Sequence, residues 1–199
     1  MPKQNIDIVV IGAGAAGMMA AATASQRGRG VVLIDHAPHL AEKIRISGGG
    51  RCNFTNIRAH AECYLSHNPH FCKSALAQYT AADFLNLVQR HAIPWHEKKL
   101  GQLFCDNSSQ DIIDALKAEC DAGNTAWRLG TKILAIEQAK NGFIVRTSRE
   151  HWYCQSLIVA SGGLSIPAIG ATGFGYDLAR QFGLSVTPLS AGLVPLTFE

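Results

Sequence analysis

Three glycines spaced Gly12-x-Gly14-x-x-Gly17 stand between an apolar run, Ile6–Ile11, and an alanine-rich stretch from about Ala15 to Arg27. The apolar run predicts a buried parallel strand. The alanine-rich stretch predicts a helix stopped near Gly28. Val31–Ile34 predicts a second buried strand ending at Asp35, which completes a βαβ unit. In that setting each glycine has a task. Gly12 permits the tight turn, Gly14 lets the backbone approach a pyrophosphate, and Gly17 lets helix and strand pack closely. The helix start, carrying Ala15 and Ala16, would turn free N–H groups and a positive dipole end toward that phosphate. Ala21 follows one helical turn after Gly17, on the sheet-facing side. Asp35 lies 23 positions after Gly12, near the separation expected for a carboxylate that binds ribose hydroxyls. A carboxylate there repels a 2′-phosphate, so FAD or NAD is expected rather than NADP. Glycines serving packing alone would leave the placement of Gly28 and Asp35 without a reason.

The chain of 199 residues is long enough for one sizeable core. With 47% hydrophobic and 17% charged residues, it is not a disordered chain. The formal charge of +3 comes without any basic run, so no nucleic-acid partner is expected. Ile8 to Gln26 is 19 residues without a charge, a length that could span a bilayer. Asp7 opens that run and glycines interrupt it, so a strand-turn-helix is preferred, with no membrane association and a cytoplasmic location. The six cysteines contain no CxxC pair and are expected to be reduced thiols.

Residues 36–60 read as irregular and glycine-rich. Helices are expected over Phe71–Tyr79, over Ala81–Ala92, with Thr80 and Asp83 as its start signal, over Ser108–Asp121 and over Tyr176–Phe182. A three-stranded meander is expected over 131–138, 142–148 and 151–154, turning at Asn141-Gly142. A separate buried strand, Leu157–Ala160, then runs into Ser161-Gly162-Gly163. Leu193–Glu199 reads as the start of a further strand. Cys63, His67, His70 and Cys72 form the densest metal-like cluster, but their order fits zinc spacing poorly. Surface histidines with buried cysteines are expected instead, and no metal. Ser47 and Ser165 lack a nucleophile-elbow context.

The most specific stretch is Lys43-Ile-Arg-Ile-Ser47-Gly48-Gly49-Gly50-Arg51-Cys52-Asn53-Phe-Thr55-Asn56. Three consecutive glycines beside Arg and Asn suit a backbone that donates N–H groups to anionic oxygens at close range. Cys52 could be a redox thiol, but with no second cysteine close in sequence a packing role is preferred. With this stretch the chain resembles the bacterial BaiN/YhiN-type NAD(P)/FAD-dependent oxidoreductases, also called the aminoacetone oxidase family. Their signature is similar to G-x-K-x-x-x-S-G-G-G-R-C-N-x-T-N. A later segment, Ala160-Ser-Gly-Gly-Leu-Ser165-Ile-Pro167-Ala-Ile-Gly170-Ala-Thr172-Gly173-Phe-Gly175-Tyr176, resembles the family's A-T-G-G-x-S-x-P-x-x-G-x-T-G-x-G-Y. Three departures stand out: Ala41 where a glycine often precedes the lysine, Ser161 for threonine, and Phe174 for aspartate.

The resemblance implies an α/β chain: a Rossmann-like FAD-binding domain of glutathione-reductase type, with a parallel sheet, a crossover helix and the meander. It implies FAD as cofactor, held by Gly12, Gly14, Ala15, Ala16, Gly17 and Asp35, by Lys43, Ser47, Gly48, Gly49, Gly50, Arg51, Cys52, Asn53 and Thr55, and by Ser161, Gly162 and Gly163. Ile133 would supply a backbone contact to adenine. Members run to about twice this length, so the expectation is an incomplete FAD domain over 1–190. Residues 191–199 would then begin an inserted, mostly β substrate domain, and this portion alone would lack turnover. The implied function is a flavin-dependent oxidoreductase with NAD(P)H or another small-molecule reductant, and a small-molecule substrate. Its chemistry would be reduction of an activated C=C bond or oxidation of a small amine. Two alternatives remain at this point: a flavin-binding module without turnover, for instance in an RNA-modification complex, and an NAD-only dehydrogenase. The catalytic residues are not assigned.

Overall fold

The computed structural model describes residues 3–191. They fall into two compact units divided between Ala160 and Ser161. The first opens with strand β1 (Lys3–Ile11), helix α1 (Ala15–Gln26) and strand β2 (Val31–Ile34). β1 and β2 pair in parallel from Ile8↔Val31 to Ile11↔Ile34. Every residue of β2 is buried, as its uninterrupted apolar sequence requires of a strand covered on both faces. α1 buries Gly17, Met18, Ala21, Ala22 and Ser25, one stripe at helical spacing. Gly28, with φ +78°, ends it by returning its N–H to the Ser25 carbonyl.

After helix α2 (Glu42–Ile46) come strand β3 (Asn53–Asn56), helices α3 (Lys73–Gln78) and α4 (Ala81–Arg90), and strands β4 (Trp95–Glu97) and β5 (Gln102–Cys105). β3, β5 and β4 form a small antiparallel sheet in that spatial order. It was not expected, because 36–60 reads as irregular; Asn53-Phe-Thr-Asn56 is too short and polar to show strand alternation. Phe54 of β3 reaches Phe84 of α4 with ring centroids 6.0 Å apart. The capping box expected at α4 is present, Thr80 and Asp83 bonding each other's backbone N–H.

Helix α5 (Gln110–Ala122) packs on α1, where the Cys120 thiol meets the Met18 carbonyl at 3.2 Å. Strands β6 (Ala126–Arg128), β7 (Ile133–Ala139), β8 (Gly142–Thr147) and β9 (His151–Val159) complete a six-stranded sheet ordered β6-β2-β1-β9-β8-β7. β6, β2, β1 and β9 are parallel, and β9, β8 and β7 form the antiparallel meander.

Two expectations are corrected here. The meander's third strand and the separate strand at 157–160 are one nine-residue strand. The polar pair Gln155-Ser156 breaks the hydropathy but not the ladder, which runs beside β1 from Lys3↔His151 to Ile11↔Val159. The hairpin's last pair is Ala139↔Gly142, so its turn is Lys140-Asn141, one residue earlier than expected.

The second unit contains helix α6 (Phe174–Gln181), ended by Gly183 at φ +74°. The expected strand over Leu193–Glu199 lies outside the described residues.

Candidate functional site

The fingerprint turn follows directly from β1. Gly12, at φ +106°, donates its N–H to the Ile34 carbonyl at 2.8 Å, which ties the turn to the neighbouring strand. A Cβ on Gly17 would lie 1.7 Å from the Gly12 carbonyl oxygen, so only glycine fits where α1 crosses β1. Gly14 differs: a Cβ there meets nothing within 4 Å. It is the N-cap of α1 without a side-chain cap, and Ala15 and Ala16 beside it are exposed. The first-turn N–H groups have no intrahelical partner by construction. The result is an open, amide-lined concavity at a helix start, with the positive dipole end facing it.

Asp35, just after β2, closes this turn from the other side. Its Oδ2 accepts the Ala13 N–H at 2.6 Å and its Oδ1 accepts the Ala37 N–H at 2.8 Å. The sequence suggested a ribose ligand; the geometry adds that this carboxylate also staples the glycine turn. His36 Nδ1 also lies 3.3 Å from Oδ1, so the second lone pair of Oδ2 is the one left for a hydroxyl donor.

The second glycine loop is brought to the first through Ala41, whose N–H donates to the Ala13 carbonyl at 3.0 Å. Ala41 is buried and left-handed, φ +54°, ψ +43°. That conformation explains why a glycine is usual there and why alanine, the least hindered alternative, can replace it. Exposed Lys43 lies in α2. Ser47 donates its hydroxyl to the Ile44 carbonyl at 2.8 Å. Gly48, Gly49, Gly50 and Cys52 then all take positive φ, from +50° to +85°. A Cβ on Gly48 would strike the Asn53 backbone N at 2.7 Å, whereas Gly49 and Gly50 face open space. Two backbone bonds hold the loop: Ser109 N–H to the Gly50 carbonyl (2.7 Å) and Cys105 N–H to the Arg51 carbonyl (3.0 Å). Asn53 and Thr55 lie in β3 opposite Phe104 and Leu103.

Cys52 is buried, and burial raises its pKa, with the Ser47 hydrogen bond opposing. Its burial and raised pKa favour the packing role over that of a redox nucleophile. Burial pushes Cys105 to about 12.

Ile133 opens β7 opposite Thr147, towards the far edge of the sheet. The link to the fingerprint comes two residues earlier, where the Thr131 N–H donates to the Asp35 carbonyl at 2.8 Å. Ser161, Gly162 and Gly163 begin the second unit. The Ser161 hydroxyl oxygen is buried without a partner among the described residues, and Gly162 takes φ +75°. A Cβ on Gly163 would meet the Tyr176 hydroxyl at 2.3 Å.

Of the expected metal-like group, Cys63 is exposed and Cys72 half-buried, so the expectation of buried cysteines there fails. Their thiols reach the carbonyls of Arg58 and Ala61, both at 3.7 Å. No metal-ligand cluster occurs among the described residues, and no described helix is long and apolar enough to cross a membrane.

A βαβ unit with this turn, a second left-handed glycine loop bonded to it, and a meander continuing the parallel sheet together define the FAD-binding Rossmann domain of a flavoprotein. The space beside Gly14, Gly49 and Gly50, where an added Cβ meets nothing within 4 Å, leaves room for a dinucleotide against the backbone.

The chain belongs to the HI0933-like protein Rossmann domain family, which it matches over residues 6–197. It is 52% identical over 98% of its length to the ribosomal RNA dihydrouridine synthase of Escherichia coli (strain K12), spanning 49% of that protein. It is 46% identical over 99% of its length to the Haemophilus influenzae protein of the same name, spanning 50% of it. The 3-dehydro-bile acid delta(4,6)-reductase of Clostridium scindens is 28% identical over 95% of the chain and 47% of that protein. Among solved structures, the open conformation of a flavocytochrome c3 fumarate reductase shares the fold. Its TM-score is 0.62 at 19% identity, over 90% of this chain and 41% of that one. The chain thus spans about half the length of the curated relatives it matches. The expectation of no nucleic-acid partner is overturned by the two relatives named for ribosomal RNA. A formal charge of +3 reports a whole-chain balance and does not exclude a local RNA contact.

Proposed function

We propose that this chain is the FAD-binding portion of a flavin-dependent reductase that converts uridine to dihydrouridine in ribosomal RNA, with electrons from NAD(P)H or another small-molecule reductant. The observation that carries the reading is the pair of open glycine cradles joined by the Ala41–Ala13 hydrogen bond. Taken with 52% and 46% identity to relatives of that name, it favours a working dinucleotide site over a packing motif. FAD, when bound, supplies hydride-transfer chemistry.

The chain's own residues do the holding. The N–H groups at Ala15, Ala16 and Gly17 meet the pyrophosphate, and Gly14 leaves room for it. Asp35 fixes the turn while accepting from the ribose diol. The left-handed glycines Gly49 and Gly50, open on their side-chain side, would present backbone to the dinucleotide at a distance that a side chain would forbid. The backbone at Ile133 is proposed as a further contact to the dinucleotide.

The substrate chemistry is consistent with what the relatives' names share. The uracil C5=C6 bond is conjugated with the C4 carbonyl, so C6 accepts a hydride and C5 a proton. The Clostridium scindens relative is likewise named as a reductase of a bile-acid double bond. The test is mass spectrometry of nucleosides from ribosomal RNA of a strain lacking the gene, with and without a plasmid copy. Dihydrouridine lost on deletion and restored by the plasmid supports the reading. Dihydrouridine retained at wild-type level in the deletion strain overturns it.

A further inference from the structure

Between Ile57 and Thr80 no residue is buried, although the segment is rich in large apolar and aromatic side chains. Leu65 is 97% exposed, Phe71 82% and Tyr64 50%. The Cys72 thiol, bonded to the Ala61 carbonyl, folds the segment back on itself. Between it, α3, α4 and β3 lies an open cleft of about 590 Å³, whose lining includes His60, Tyr64, Lys73, Tyr79 and Thr80. The segment holds three of the chain's eight histidines and two of its four tyrosines. Its charges are Arg58, Lys73 and Glu62, and Glu62 lies 3.8 Å from His60. Along the segment Arg58 and Lys73 outnumber Glu62, while the cleft itself is lined by one of each sign, Lys73 and Glu62.

Exposed apolar surface of this kind marks a partner, and its composition selects among partners. Planar rings interleaved with Lys, Arg and His are the chemistry that stacks unpaired bases and neutralises the phosphates between them. A uracil whose C5=C6 bond is to be reduced cannot react while stacked inside a helix; it must be drawn out, leaving unstacked neighbours to be held.

We infer that the 57–80 segment and its cleft bind single-stranded ribosomal RNA beside the target uridine, with Tyr64 and Phe71 stacking on bases and Lys73 on a phosphate. This rests on the RNA-substrate reading above. Because these side chains are exposed, truncating them leaves the core intact.

The experiment measures binding of a fluorescein-labelled single-stranded uridine-rich RNA and of a duplex of equal length. It compares the FAD-loaded protein with Tyr64→Ala, Phe71→Ala and Lys73→Ala. The wild type should prefer the single strand. Each aromatic truncation should weaken binding about 5- to 150-fold, the range for loss of one stacked base. Lys73→Ala should lower the slope of log Kd against log salt by about 0.7. FAD content should not change. If the wild type binds RNA and all three variants bind equally well, the RNA reading stands and this surface is the wrong one. If the wild type binds neither RNA, both are overturned. A dimer that Phe71→Ala dissociates, with RNA affinity untouched, would assign the surface to a second copy and also overturn the proposal.

Discussion

Gly14 and Gly17 share one motif but should fail in different ways when substituted. A Cβ at Gly17 would sit 1.7 Å from the Gly12 carbonyl oxygen, whereas even close carbon–oxygen contacts in sheets need about 3.3 Å. Helix α1 would have to move roughly 1.6 Å from the turn, and the obstacle is backbone that no rotamer change can clear. Overpacking of this kind costs about 1–3 kcal/mol, here at the upper end. Exchanging glycine for alanine within a helix returns about 1 kcal/mol. Gly17→Ala should therefore lose about 2 kcal/mol, which for a chain of this length lowers Tm by about 4–8 °C. Gly14→Val meets open space and should leave the apo protein within about 1 kcal/mol of wild type, yet abolish FAD retention. Thermal circular dichroism of the apo proteins, repeated with excess FAD, separates the two. An apo Gly17→Ala melting within about 1 °C of wild type would refute the packing argument. An undiminished FAD-dependent rise in Gly14→Val would refute the binding argument.

Asp35→Ala should destabilise the apo protein by about 2–4 kcal/mol, because the Ala13 and Ala37 amides both lose their acceptor; unchanged urea unfolding would show that water replaces the carboxylate freely. Cys63 and Cys72 should be the only two of the six thiols to react quickly with a disulfide reagent in native protein. Cys52, Cys105, Cys120 and Cys154 are buried and held protonated, Cys105 to about 12 and Cys120 to about 11; three or more fast thiols would contradict this. Glu119 is held below the ordinary glutamate value, first by the Gln26 hydrogen bond and then by His91. Since its folded pKa is depressed, its contribution is complete above the unfolded value of about 4.3 and is lost as pH falls through the lower folded value. Glu119→Gln should accordingly flatten the fall in Tm below about pH 4.3, and an unchanged slope would exclude the role.

The parts of the fold visible in the sequence were those with uninterrupted local signals. Ile6–Ile11, apolar but for Asp7, runs into Gly12, Val31–Ile34 follows Gly30, and Thr80 with Asp83 specifies a helix start by itself. The β3-β5-β4 sheet was hidden because strands such as Trp95–Glu97 have three residues, too few to display a period. β9 was split because Gln155 and Ser156 are polar, while the pairing that unites it comes from β1, far away in sequence. At the site, motif spacing marked both glycine loops but could not reveal the Ala41–Ala13 bond that joins them. Nor could it show that Asp35 answers to two backbone amides. The expectation of no nucleic-acid partner failed for a related reason: net charge sums over the chain and does not report on any local surface, whereas two relatives are named for ribosomal RNA.

The pairing of β1 with β9 also sets a timetable for synthesis. Ile11 pairs with Val159, and 159 − 11 places those partners 148 residues apart. At roughly 5–20 residues per second, the ribosome needs roughly 7–30 s between making one and making the other. Throughout that interval β1, α1 and β2 can associate while the other edge of β1 presents unpaired amides and carbonyls to the cytosol or to another nascent chain. A strand edge left open for seconds is a template for wrong partners. Strand β1 therefore completes its pairing only after residue 159 has been made, and chaperone demand on its open edge should be greatest before that residue leaves the exit tunnel.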